Sequence, residues 1–287
     1  MESEKMIVIA HEPQPGGLGA VITGVNLTQP LNKQVISEIK QILWKFHLVI
    51  FRDQKITPDQ QIRFGKYFGP VVKHPYIKGL EGYPEIMVVE KKETDKHNFA
   101  GAWHTDTSYQ EVPALASILY AREIPPSDLG NTLFCNLVAA YEALSEPLKE
   151  FLINLNAIHS FTGRSMTGRE QDLGYGQLAK NRTEQNKVLQ PVIRRHPISL
   201  RDSLYINPMF TESIQALTAE ESDLILDYLF QHSTKSEFVF RLSWAPDTLV
   251  VWDNLTTMHN PINDYDGYYR LMHRVVVAGS EQSGMRL

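Results

Sequence analysis

The sequence predicts a mainly β protein with flanking helices, an α+β chain built around an antiparallel or mixed barrel. Three observations predict it. Short apolar runs rich in β-formers dominate both ends of the chain, and helical periodicity is confined to a few separate segments. No regular βαβ alternation joins them, which argues against a doubly wound sheet.

Taken in order, residues 34–44 place Ile36, Ile39, Ile42 and Leu43 at helical spacing, and residues 48–51 then read as a buried strand. Thr57 is a candidate N-cap with Pro58 in the first turn, opening a helix toward Phe68 that stops at Gly69-Pro70. Thr218 and Glu221 form a capping-box pattern, and Leu224, Ile225, Tyr228 and Leu229 are the expected apolar stripe of the helix that follows. Residues 248–253 and 268–277 read as strands. In the second of these, Arg270, Met272 and Arg274 share one face at period 2, with the two Arg α-carbons roughly 13 Å apart. Two inward arginines are costly unless each meets an anion.

At 287 residues with 43% hydrophobic content, the chain is long enough for one large domain, and no Gly/Ser-rich linker divides it. A single domain over 1–287 is expected. The net charge of −5 offers no general attraction to nucleic acid. The apolar run at residues 6–10 is too brief for a signal peptide or a membrane span. One cysteine, Cys135, suits a reducing compartment, and a cytoplasmic location is expected. Residues 90–100 and 162–187 are polar with little periodicity and read as lid segments that flank the site and order on substrate binding.

The chemistry-bearing pattern is His104 and Asp106, one residue apart, with His259 lying 153 positions beyond. On a strand, residues i and i+2 share a face, so the imidazole and carboxylate would aim at one point. His259 could close a facial triad of two His and one carboxylate, leaving positions open as in non-haem Fe(II) oxygenases. The His-X-Asp motif alone arises by chance about half a time in such a chain, so its context carries the weight.

With that context the chain resembles the taurine dioxygenase/2,4-dichlorophenoxyacetate dioxygenase family of Fe(II)/2-oxoglutarate-dependent oxygenases. The likeness runs from residues 19–27 through Phe51-Arg52-Asp53-Gln54, Phe68-Gly69-Pro70 and Trp103-His104-Thr105-Asp106 to Trp252-Asp253-Asn254, His259 and the strand from Arg270 to Arg274. The resemblance implies a double-stranded β-helix (jelly-roll, cupin-like) core, with Fe(II), 2-oxoglutarate and O2 as cofactor and cosubstrates. It implies hydroxylation of a small anionic organic molecule with release of succinate and CO2. It makes His104, Asp106 and His259 the iron ligands, and assigns Arg270 and Thr132 to the cosubstrate carboxylate. Asn131 stands where the family usually has Asp. Arg274 matches the arginine that holds the substrate anion, and His74, Ser165, Met166 and Phe210 match substrate contacts. Family members are often dimers or tetramers, so a homo-oligomer is open.

Departures bear on the substrate. Ala100 stands where the taurine enzyme has an Asn near the substrate amine, and Met166 where it has Phe, so a bulkier apolar body is expected and taurine is disfavoured. Residues 81–85 and 254–259 look more like the aryloxyalkanoate-degrading and alkylsulfatase members, and a carboxylate, sulfonate or sulfate ester all remain open. His47, His159 and His273 read as satisfied core residues, Trp103 and Trp252 as core walls, and Cys135 as inert and buried. An alternative function is a non-catalytic binding protein for an anionic metabolite on the same fold. Zinc-dependent hydrolysis would leave Arg270 unexplained.

Overall fold

The computed structural model describes residues 9–14, 17–73, 79–126, 128–161 and 187–280. Among these a nine-stranded sheet runs in the order β1 (Ala10–Pro13), β2 (Ala20–Thr23), β3 (Leu48–Phe51), β15 (Leu249–Asp253), β7 (Ala116–Glu123), β17 (Arg270–Val277), β6 (Tyr83–Lys91) and β5 (Gly79–Leu80), with β4 (Val71–Val72) also paired to β17. Within this sheet, among the described residues, β2 and β3 are the pair that run parallel. A smaller antiparallel sheet has the order β14 (Val239–Leu242), β8 (Thr132–Asn136) and β16 (Thr257–Pro261). Two further small sheets join β10 (Val188–Pro191), β9 (Asn156–His159) and β13 (Thr211–Ile214), and β11 (Ile193–Arg195) with β12 (Asp202–Leu204).

Period-2 alternation sorts the large sheet into two faces. Val49, Phe51, Ile118, Tyr120, Leu249, Val251, Val275 and Val277 pack on its outer side with helices α1 (Lys33–Phe46) and α2 (Pro58–Lys66). The alternate residues Leu48, Ile50, Ala121, Val250, Trp252 and Met272 meet Phe134 and Leu242 of the smaller sheet. Arg270 and Arg274 belong to that inner set by register, which sends both guanidinium groups between the sheets. The expected barrel with outer helical supports is the fold found.

The helices form where capping chemistry permits. Asn32 caps α1 by accepting from the Val35 amide, and His47 ends it in the left-handed region at φ 63°, turning the chain into β3. Thr57 and Gln60 form a capping box at α2, which ends at Lys66, two residues before the expected Phe68. The short helices α3 (Leu137–Glu142) and α4 (Glu146–Leu152) follow β8. In α5 (Ala219–Ser233) the Thr218–Glu221 capping box is present, but the expected stripe is corrected. Leu224 is 68% and Tyr228 53% exposed, whereas Leu226 and Leu229 are buried beside Ile214 and Phe238. Ile225 and Phe230 pack partly buried against the same cluster, so of the expected stripe Ile225 and Leu229 face the core while Leu224 and Tyr228 point to solvent.

His159 is held by Ser108 Oγ at Nδ1 and Thr211 Oγ1 at Nε2, both at 3.1 Å, and His47 Nδ1 lies 3.0 Å from Thr256 Oγ1. Both are satisfied core residues as expected, and His273 is buried as well. Cys135 is fully buried, and burial pushes its thiol pKa up.

Two predictions follow from this packing. Leu226→Ala should lower stability by about 2–5 kcal/mol and Leu224→Ala by under about 0.5 kcal/mol, measured by urea unfolding; equal losses would contradict the observed docking face. Burial lowers the pKa of His47 to about 4, His159 to about 3 and His273 to about 4. These groups take up protons in the unfolded chain near pH 6.5 but not in the folded one, so stability is complete above that pH. It should fall as pH drops from 6.5 toward 4, by up to about 1.4 kcal/mol per pH unit for each histidine. Urea midpoints that stay flat over this window would refute it.

Candidate active site

The inner face of the large sheet closes over a small cavity of about 40 Å³ lined by His104, His259, Thr132, Trp252, Arg270 and Arg274, with Phe99 and Ala100 at its edge. His259 comes from β16, Thr132 from the start of β8 and both arginines from β17. His104 stands on an irregular segment, pinned by an isolated antiparallel bridge in which His104 N donates to His259 O at 2.9 Å and His259 N donates to His104 O at 2.8 Å. That bridge sets the two imidazole centroids 4.1 Å apart.

The expected shared strand face does not join His104 to Asp106. Asp106 lies in a turn, and Thr107 after it adopts φ 56°, a conformation few non-glycine residues take. The turn nonetheless swings the carboxylate to the imidazoles. Asp106 Oδ1 is 3.6 Å from His104 Nε2, and His104, Asp106 and His259 each offer a ligand atom within 4.8 Å of the others, all buried.

The donor set suits a divalent cation. His104 Nδ1 donates to Ala102 O at 2.8 Å, which leaves Nε2 with a free lone pair. Burial, then the neighbouring His104 and Arg274, holds His259 well below its usual pKa, so it offers a neutral ring. Burial would raise Asp106, but Arg274 and the two histidines outweigh it and hold the carboxyl well below its usual range. A neutral imidazole and an ionised carboxylate are the forms that coordinate metal.

The two arginines are placed unequally. Arg274 Nη1 donates to Asp106 Oδ1 at 2.8 Å, so its charge is met from inside the protein. Arg270, 5% exposed, has no hydrogen-bond partner at Nε or Nη2; it lies against the rings of Trp244 and Tyr265, both 5.9 Å away. Buried donors without acceptors, beside a metal-ligand cluster, fit an anion that the chain does not itself supply. Thr132 Oγ1 accepts from Trp244 Nε1 at 3.0 Å, which leaves its own proton free to donate into the same cavity.

Phe210 is buried and meets His104 edge-on at 6.1 Å, in an aromatic cluster with Tyr109 and Phe161. Trp252 walls the cavity against His259 at 4.9 Å, and Trp103 is half-buried against the second apolar cluster. His74, Ser165 and Met166 lie outside the described residues, as does most of 162–187. Ser117, Asn254 and Phe134 also touch the site. A lone serine inside the apolar run 116–121 is the signal that could have pointed to the first of them.

Removing the Asp106 carboxylate leaves Arg274 buried without a counter-charge. The metal-free Asp106→Ala protein should therefore lose about 3–5 kcal/mol of stability; an unchanged urea midpoint would mean that the pair holds nothing together.

Comparisons with known proteins agree with this geometry. Residues 10–276 match the family described as "Taurine catabolism dioxygenase TauD, TfdA family". The chain is 30% identical to an alpha-ketoglutarate-dependent sulfate ester dioxygenase of Pseudomonas putida, over 95% of this chain and 90% of that one. It is 31% identical to the alpha-ketoglutarate-dependent 2,4-dichlorophenoxyacetate dioxygenase of Cupriavidus pinatubonensis, over 88% and 92% of the two chains. The crystal structure of AAD-2 in complex with Mn(II) and N-oxalylglycine superposes with a TM-score of 0.79 at 30% identity, covering 96% of this chain and 98% of that one. The chain belongs to the TauD, TfdA family and is an Fe(II)/2-oxoglutarate-dependent dioxygenase with the jelly-roll fold of that family.

Proposed function

We propose that this enzyme hydroxylates a small organic anion bearing a carboxylate, sulfonate or sulfate ester, with His104, Asp106 and His259 holding Fe(II). The observation that carries the reading is Arg270, whose buried Nε and Nη2 have no acceptor in a cavity shared with His104, His259, Thr132 and Arg274. Its guanidinium, with the Thr132 hydroxyl, receives the distal carboxylate of 2-oxoglutarate. When bound, iron with 2-oxoglutarate and O2 supplies the oxidising chemistry, which yields succinate and CO2 and hydroxylates a C–H bond.

Arg274 receives the substrate anion. Its Nε has no partner, and its bond to Asp106 weakens electrostatically once a cation shares that carboxylate. Beyond it, on the same face of β17, Val276 opens onto a recess of about 350 Å³ walled by Val72, Val112 and Ala114, with Lys73 and Gln110 at its rim. An apolar body larger than that of taurine fits such a wall, as does Ala100, 3% exposed, where a polar side chain would meet an amine. His74, Ser165, Met166 and Phe210 are assigned to the same substrate.

We assign residues 1–287 to one domain, with 90–100 and 162–187 as its covers. Asn98 supports the first, since its Nδ2 donates to Pro261 O at 2.9 Å and brings Phe99 and Ala100 to the cavity. No helix among the described residues is long and apolar enough to cross a membrane. The single buried Cys135 fits a reducing, cytoplasmic setting.

An anaerobic titration with Fe(II) and 2-oxoglutarate, read by the visible charge-transfer band of the chelate, tests the site, and sulfonates, sulfate esters and aryloxy acids that perturb the band identify the substrate. Arg270→Ala should weaken 2-oxoglutarate binding by about 2–5 kcal/mol, on the order of 30-fold or more, while Arg274→Ala raises the substrate KM and spares 2-oxoglutarate. If both variants lost 2-oxoglutarate equally, the division of labour between the two arginines would fail.

A further inference from the structure

Behind Asp106 lies a chain of hydrogen bonds whose direction is fixed by chemistry. Trp252 Nε1 lies 2.8 Å from Asn254 Oδ1, Asn254 Nδ2 lies 3.0 Å from Ser117 Oγ, and Ser117 Oγ lies 2.6 Å from Asp106 Oδ2. An indole N–H can only donate, so the Asn254 oxygen must be the acceptor and its amide nitrogen faces Ser117. That amide can only donate in turn, which leaves the single serine proton for the carboxylate. Every member is buried, from 0% exposed for Ser117 and Asn254 to 3% for Asp106. The first and third members are held in register, because Ser117 pairs with Trp252 across β7 and β15 and both side chains point inward.

We infer that Ser117 is a positioning residue for iron binding: it occupies Asp106 Oδ2 and so presents Oδ1 alone to the metal. Oδ1 is the oxygen that faces His104 Nε2. Arg274 donates to that same atom in the metal-free protein, a bond that weakens when an ion shares the carboxylate, as proposed above, whereas the serine bond to Oδ2 does not compete with the ion. A carboxylate whose second oxygen is engaged ligates through one atom, and the coordination position it would otherwise cover stays available to 2-oxoglutarate or O2. The backbone of β7 and β15 thereby sets how the loop-borne ligand meets the ion. The inference rests on Asp106 being an iron ligand, as proposed above.

The test needs no turnover. Co(II) is titrated into the purified metal-free wild type, Ser117→Ala and Ser117→Thr, reading affinity and the visible absorption of the bound ion. Loss of the hydroxyl should weaken Co(II) binding by about 10–100-fold. It should also change the spectrum as the freed oxygen moves toward the ion, whereas Ser117→Thr, which keeps the donor, should restore both. Unchanged affinity and spectrum in Ser117→Ala overturn the inference, and so does equal weakening in the alanine and threonine variants, which would mark a packing role. If Ser117→Ala does not fold, Asn254→Ala is measured in its place, since it releases the serine to rotate; unchanged Co(II) binding there overturns the inference too. Failure of the wild type to bind Co(II) through Asp106, judged against Asp106→Ala, would instead overturn the site assignment on which the inference stands.

Discussion

Arg274 and Asp106 meet at 2.8 Å inside the barrel, and this ion pair ties a loop to the centre of the large sheet. β17 lies between β6 and β7, and its inward residues Arg270, Met272 and Arg274 are buried. A guanidinium there needs an anion, and the turn at 104–107 brings one. The same contact delivers the carboxylate to the two imidazoles, so one electrostatic requirement of folding also assembles a set of groups able to hold a metal. The reciprocal amide bonds between His104 and His259 hold the other side of the turn, which leaves Asp106 little freedom to withdraw.

Arg270 is the contrasting case. It shares the strand and the face of Arg274 but finds aromatic rings and no carboxylate, so part of its charge remains uncompensated. Burial accordingly lowers its pKa. A protein tolerates such a group when the apolar clusters on both faces of the sheet outweigh its cost. In the proposed role that cost becomes affinity when a dicarboxylate enters, because the donors are already desolvated and oriented before it arrives. Meeting one arginine with a carboxylate and its neighbour with none gives the two positions different electrostatic surroundings without any difference in residue type.

Much of the frame is legible along the chain. The N-caps at Asn32, Thr57 and Thr218 depend on contacts within three residues, so the helices they start can be located by local chemistry, although Asn32 does not stand out from periodicity alone. The inward and outward faces of β3, β15 and β17 follow from alternation. The buried side of α5 does not: Leu224 and Leu226 are equally apolar, and only the position of β13 and the 238 region against the helix decides which is covered. β7, the strand at the middle of the large sheet, lies outside the strand runs that the sequence marks most clearly, and with it went Ser117.

The sequence by itself determined the kinds of groups available: two histidines and an aspartate able to ligate, two arginines at period 2 on one strand, and a strand-rich chain with capped helices. Tertiary structure decided how they meet. It replaced the expected strand between His104 and Asp106 with a turn held by a left-handed Thr107, gave Arg274 a carboxylate partner and left Arg270 with Tyr265 and no carboxylate, and set Ser117 behind the carboxylate. The physical reason is range. Propensity, capping and periodicity act over a few residues and are written locally, whereas the distance from Asp106 to Arg274 or His259 depends on which strands pair and in what register, a property of the whole sheet.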